Sequence, residues 1–289
     1  MPHLTRRGFT LVELLIGLVL IGIVSAGIYR VLVNNQRIYQ AQTQRIEMLQ
    51  NIRAGAAVLP AEFRELSASE DDIGAMSATG ISIRGMRQLG FLCVPPVLVG
   101  PNVVLTVRRT PIYGLRAFDQ NRDSIFVYYE GDDATRVDDG WVRGRITGVG
   151  TGLCLDASPA VVLTTSLFFD AGLGQTPVTG NIQSGSPVRG FEPVTYRLYT
   201  STSDGRSYIG LQEGSAAIQP LIGPLTSNGL ALAYFDSTGA ATNTPNRVAL
   251  IRMTFRAETQ QAFRQLDGSI ARAIDSVTTW VALRNNLRY

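Results

Sequence analysis

The chain has no lysine; every one of its basic residues is an arginine. That removes lysine nucleophiles and Schiff bases from consideration. Histidine is nearly absent as well. The single one, His3, stands at the extreme N-terminus, which excludes His-based triads and His-ligated zinc from the rest of the chain. The two cysteines, Cys93 and Cys154, are too far apart for a CxxC redox or zinc motif. No GxSxG elbow, phosphate-binding P-loop or dinucleotide glycine fingerprint is present. Charge of one sign is also scarce. The formal net charge of +3 owes two units to Arg6 and Arg7, so nucleic-acid binding gains little support from it.

What is present begins at Gly8-Phe9-Thr10-Leu11-Val12-Glu13 and the apolar run to Tyr29, in which Glu13 is the only charged side chain. As a helix rising about 1.5 Å per residue, this run reaches roughly 30 Å, enough to cross a bilayer's hydrocarbon core. Arg6 and Arg7 precede it, which by the positive-inside rule holds the N-terminus in the cytoplasm. A carboxylate in such a run is costly and calls for a partner or a task.

These residues carry a resemblance. Gly8, Phe9, Thr10-Leu11-Val12 and Glu13 resemble the processing site of type IV prepilins and type II secretion pseudopilins. The resemblance implies cleavage by a membrane-embedded prepilin peptidase between Gly8 and Phe9, and N-methylation of Phe9. It also implies assembly with other major or minor pilins through the N-terminal helix, where Glu13 pairs with the amine of a neighbouring subunit. An unpaired charge in lipid is costly and a paired one much less so, which favours docking in register. Two plainer readings stand beside it: a signal anchor with a tolerated Glu, and a signal peptide cut after Val24-Ser25-Ala26.

Beyond Tyr29 the helical period continues while polarity rises. Ile38, Ala41, Leu49, Ile52, Ala56, Leu59, Phe63 and Leu66 form one apolar face. Pro60 is expected to kink or end the helix. Within the anchor, Gly22 and Ala26 form a small-xxx-small pair suited to close helix approach. From about Ile81 the pattern turns to short β-like runs: 81–84, 103–108, 124–129, 141–146, 194–200, 207–211, 230–235, 248–255 and 277–283. Residues 230–235 and 248–255 read as a hairpin, 261–275 as a short helix or loop, and 172–190 as a mobile surface loop. The strand Asp123–Tyr129, the strand 229–235 with its Asp/Gly turn, and the ending Val281-Ala282-Leu283-Arg284-Asn285-Asn286 resemble PilW-type minor pilins and J-type pseudopilins.

Other chemistry is sparse. Asp119, Asn121, Asp123 and Glu130 take positions one, three, five and twelve of an EF-hand-like loop. Ser124 stands where that loop needs glycine, so a solvated turn entering a strand is the simpler reading. Arg84, Arg87, Arg108, Arg109 and Arg116 form either a basic patch for DNA or scattered arginines with local acidic partners. The aromatics Phe126, Tyr128, Tyr129, Phe168, Phe169, Tyr196, Tyr199, Tyr234 and Phe235 read as cross-strand packing. A Cys93–Cys154 disulfide is expected if the head faces an oxidising compartment.

The expected architecture is therefore α+β and pilin-like. Residues 1–8 form a leader and 9–66 a long helix, of which 9–29 spans the membrane; 67–289 form a β-rich globular head. No cofactor or catalytic residue is assigned. The expected localisation is single-pass in the inner membrane with the head outside, then the pilus. The expected function is that of a minor type IV pilin, with adhesion, motility or DNA uptake as its roles. A type II secretion pseudopilin and a tethered ligand- or DNA-binding module are the alternatives.

Overall fold

The computed structural model describes residues 10–114, 116–130, 134, 139–168, 181–264 and 268–284. One helix, α1 (Leu11–Arg64), precedes strands β1 (Ile73–Ser77), β2 (Gly80–Val99), β3 (Asn102–Arg108), β4 (Tyr113–Gly114) and β5 (Ser124–Tyr129). There follow β6 (Gly140–Leu153), β7 (Pro159–Phe168), β8 (Pro187–Thr200), β9 (Ser207–Glu213) and β10 (Gln219–Phe235). The chain closes with β11 (Leu250–Glu258), β12 (Phe263–Arg264), β13 (Ile270–Ala271) and β14 (Ile274–Ala282). The long apolar helix packed on a β-rich head is the α+β, pilin-like layout expected from the sequence.

Helix α1 buries a stripe of Met48, Ile52, Gly55, Leu59, Pro60 and Phe63, mostly in steps of three and four residues that keep one face inward. Pro60 does not stop it; one further turn leads to Arg64. The stripe packs on β14, β11 and β10. There it joins Ile83, Val194, Ile209, Ile251, Phe255 and Val281 in one core. Each fully buried side chain of that size contributes about 1.5–3 kcal/mol. Ile38, expected on the same face, is exposed.

The sheet under the helix runs β1-β2-β8-β9-β10-β11-β14, with every pairing antiparallel. Strand β2 is much longer than the four residues its sequence suggested, because it serves two layers. Its first half pairs with β8, while its second half pairs with β3. The ladder then passes through β7, β6 and β5 back to β8. These six strands form a closed ring around a second core of Leu105, Ile125, Val127, Val142, Ile146, Leu163 and Val188. Closure satisfies backbone groups that would otherwise line open edges.

Three expectations need correction. Strands β1 and β7 were not anticipated. Residues 187–190, placed in a surface loop, begin β8, where they pair with Phe91, Gly90, Leu89 and Gln88; residues 169–180 lie outside the described residues. Within 261–275, expected as a short helix or loop, β12 pairs with β13, and β14 begins at Ile274. The hairpin of β10 with β11 has the expected pairing, Leu230 to Phe255 and Phe235 to Leu250.

Candidate functional site at the anchor helix

Gly8 and Phe9 lie outside the described residues. The helix begins at Thr10, which caps it. Glu13 donates its backbone N–H to Thr10 Oγ1 (3.3 Å), while Glu13 Oε2 accepts from the Thr10 N–H (3.0 Å) and hydroxyl (3.1 Å). This reciprocal arrangement is a capping box, which satisfies donors that a helix start leaves orphaned. Sequence reasoning assigned Glu13 a partner on another subunit and overlooked this local one. The signal was present, since Thr10-Leu11-Val12-Glu13 has the S/T-x-x-E spacing. Among the described residues, Glu13 Oε1 receives no hydrogen bond.

From Leu11 to Tyr29 the large apolar side chains are all more than half exposed, and no described part of the head covers them. Of the described helices, this one is long and apolar enough to cross a membrane. Gly17, Gly22 and Gly27 face open space. The helix is thus bare below and packed above.

The packed end is joined to the head by buried charge. Glu62 Oε1 on α1 accepts from Arg87 Nη1 on β2 at 2.7 Å. Arg87 Nε lies 3.5 Å from Glu192 Oε2 on β8. Glu192 also takes Arg116 Nη2 at 3.1 Å and Arg122 Nε at 2.8 Å. Arg116 in turn holds Asp123 through two bonds of 2.6 and 2.7 Å, and Arg122 reaches Glu213 at 2.6 Å. Burial alone would raise the Glu192 pKa; the hydrogen bonds from Arg122 and Arg116 outweigh it and hold the carboxyl below its ordinary range. Burial likewise opposes the Arg87 charge, and the Glu62 hydrogen bond overcomes it.

This network decides two sequence questions. Asp123 is buried and occupied by Arg116, by Gln88 Nε2 (3.1 Å) and by the Asp119 N–H (2.8 Å). Asp119 Oδ1 accepts from the Asn121 N–H, and the Glu130 side chain points to solvent. Asp119, Asn121 and Asp123 form a turn into β5, and Glu130 stands at the far end of that strand. Among the described residues, no group of three or more His, Cys, Asp or Glu is placed to hold a metal ion. Of the five arginines considered as a DNA patch, Arg87 and Arg116 belong to the network and Arg108 pairs with Asp156 at 2.8 Å. Arg84 lies over the stacked rings of Phe126 and Phe191. Local partners account for these four.

The aromatics pack across strands as expected: Tyr128 against Trp141, Tyr199 against Tyr208, Phe235 against Trp280, and Tyr196 against Phe63 of the helix. The Phe168 side chain and Phe169 lie outside the described residues. Cys93 and Cys154 form a disulfide with Cα atoms 5.4 Å apart, which clips β2 to the turn between β6 and β7. Closing a loop of 61 residues is worth roughly 4 kcal/mol on the chain-entropy model.

A capped, bare apolar helix packed at its far end on a β-rich head is the layout of a membrane-anchored protein. Residues 4–29 match the model of the prokaryotic N-terminal methylation motif, and this match supports a type IV pilin-like family, whose members are structural proteins. No curated protein and no solved structure matches the chain.

Proposed function

We propose that the chain is a minor type IV pilin. Prepilin peptidase cuts it between Gly8 and Phe9 and methylates Phe9. Before assembly it sits as a single-pass protein of the inner membrane with its head outside. It then enters a pilus through helix packing along residues 9–29 and acts as a structural subunit without catalysis. The observation that carries this reading is Glu13, a lone acid in a bare apolar helix that lies inside the methylation motif. With Oε2 engaged by Thr10, Oε1 remains open to the ammonium of a neighbouring subunit. That pairing relieves an uncompensated charge in lipid.

A clean deletion scored for pili, secretion and transformation tests the reading. Loss or shortening of pili is expected. Intact pili with a secretion defect would instead assign the chain to type II secretion as a pseudopilin. Mass spectrometry of the mature protein checks processing: methyl-Phe9 as the first residue is expected, and Gly27 as the first residue would overturn the proposal.

A further inference from the structure

Just above the apolar run, the small β12–β13 hairpin folds back against the helix. Gln261 donates its backbone N–H to Gln44 Oε1 at 2.9 Å, and the Arg45 guanidinium lies over the Phe263 ring at 5.0 Å. Between them runs an open groove of about 690 Å³, lined by Arg37, Ile38 and Ala41 of the helix and by Ala262, Phe263 and Ile270 of the hairpin side. Ile270 is 74% exposed and Ile38 48%.

The height of this groove identifies what it meets. The apolar residues extend through Val31-Leu32-Val33 to Asn34. Ile38 and Ala41 lie one to two turns beyond Val33, or roughly 7–12 Å at 1.5 Å per residue. A headgroup layer is about 5–7 Å thick on each side of the hydrocarbon core. With the hydrocarbon ending between Tyr29 and Val33, the floor of the groove therefore starts at or just above the outer edge of the headgroups, within reach of long side chains.

The charge agrees. From Leu14 through Ile46 the helix has no acidic residue, while Arg30, Arg37 and Arg45 punctuate it. Arg30 and Arg37 are seven residues apart, two turns along nearly one face. Neither Arg30 nor Arg37 has an acidic partner among the described residues. Arginines on the side opposite Arg6 and Arg7 run against the usual bias of membrane proteins, so they call for another reason. Anionic lipid supplies one, since its phosphates attract basic residues held near the surface.

We propose that this groove docks on phospholipid headgroups of the leaflet from which the helix emerges. Ile270 and Phe263 enter the interface, and Arg30 and Arg37 bind lipid phosphate. The hairpin acts as a foot that fixes the tilt of the head on the bilayer before assembly. This inference rests on the membrane-anchored reading above, and its test separates the two.

The full-length chain is reconstituted into phosphatidylethanolamine/phosphatidylglycerol vesicles with a fluorophore at Ile270→Cys, or at Ser237→Cys in the β10–β11 turn. That turn is at the opposite end of the strands from Gln261. Headgroup-labelled spin lipid is expected to quench position 270 at least threefold more than position 237. Arg37→Gln is expected to halve the quenching at 270, and replacing phosphatidylglycerol with phosphatidylcholine should do the same. Equal quenching at both positions in vesicles that float with the protein overturns the foot and leaves the anchor standing. Shielding of position 270 from aqueous iodide without lipid quenching also overturns it, because a second copy of the chain then covers the groove. Failure of the protein to float with the vesicles overturns anchor and foot together.

Discussion

Arg87 Nη1 and Glu62 Oε1 stand 2.7 Å apart, so that β2 grips the last turns of the helix through a buried ion pair. The same guanidinium faces Glu192, which Arg116 and Arg122 also reach. The seam between stalk and head is thus partly electrostatic. Removing Glu192 would leave Arg87, Arg116 and Arg122 with one carboxylate each, Glu62, Asp123 and Glu213, and would take away the buried acceptor that all three share.

Glu192→Gln is therefore expected to destabilise the protein by about 1–3 kcal/mol. Arg87, Arg116 and Arg122 would lose their shared carboxylate while remaining in place. Denaturant unfolding of the detergent-solubilised chain measures the effect. A loss below about 1 kcal/mol, the range of exposed pairs, would mean that solvent reaches the cluster freely.

Gly55 makes the apolar side of the same seam. A Cβ there would meet Phe255 Cδ1 at 3.1 Å, and Phe255 is fully buried. Gly55→Val forces the helix off the sheet and is expected to cost about 1–3 kcal/mol through overpacking. Better helix propensity recovers only part of that. Thermal unfolding together with proteolysis of the stalk tests it, and an unchanged midpoint would show that Phe255 can move aside.

Much of this seam was legible and some was not. The apolar face of the helix followed largely from its period, as did the strand Asn102–Arg108, which alternates cleanly, while Ser124–Tyr129 was marked by its β-branched and aromatic residues. The sequence pattern suggests a strand only over 81–84, yet β2 runs on through Gly85, Gly90 and Pro95-Pro96. The prolines fall where the register of β2 with β3 shifts between Val94 and Val97, a position where a ladder tolerates a missing N–H. Strand β7 was overlooked because Val161-Val162-Leu163 is continuous rather than alternating, and that strand is paired on both sides within the ring. Strand β1 is a glycine- and alanine-containing edge with little β propensity of its own. The charge network joins residues 62, 87, 116, 123 and 192, which only the folded topology brings together. Thr10, by contrast, stood in plain sight three residues before Glu13.

Asp72 closes the reversal from helix to sheet: its Oδ2 accepts the Ser67 N–H at 2.9 Å. Burial pushes its carboxyl up to about 6, against the opposing pull of the Ser67 bond and Arg189. The folded value lies above the unfolded one, so the native state holds the extra proton. This site's contribution to stability therefore falls as pH rises from about 4 to about 6 and stays low above that. Asp72→Asn keeps an oxygen acceptor and removes the titration. Its stability relative to the parent should be near zero at pH 4 and rise by up to about 3 kcal/mol by pH 7. A difference that does not vary with pH would refute the assignment.

Glu13 offers the sharpest separation of roles, because the capping box and the charge can be removed independently. Glutamine at that position can still accept from Thr10, since a capping box takes Glu or Gln, but it carries no charge for a neighbour's ammonium. Alanine removes both. Both variants should insert into the membrane as the parent does, because losing a carboxylate eases burial in hydrocarbon. If assembly depends on charge pairing, Glu13→Gln and Glu13→Ala should be equally poor at joining pili, scored by immunoblot of sheared filaments. If the helix start is what matters, Glu13→Gln should assemble normally and only Glu13→Ala should fail, and Thr10→Val should then share that failure. Normal assembly of Glu13→Ala would remove the carboxylate from the mechanism altogether and leave the apolar surface of residues 11–29 as the driver of packing.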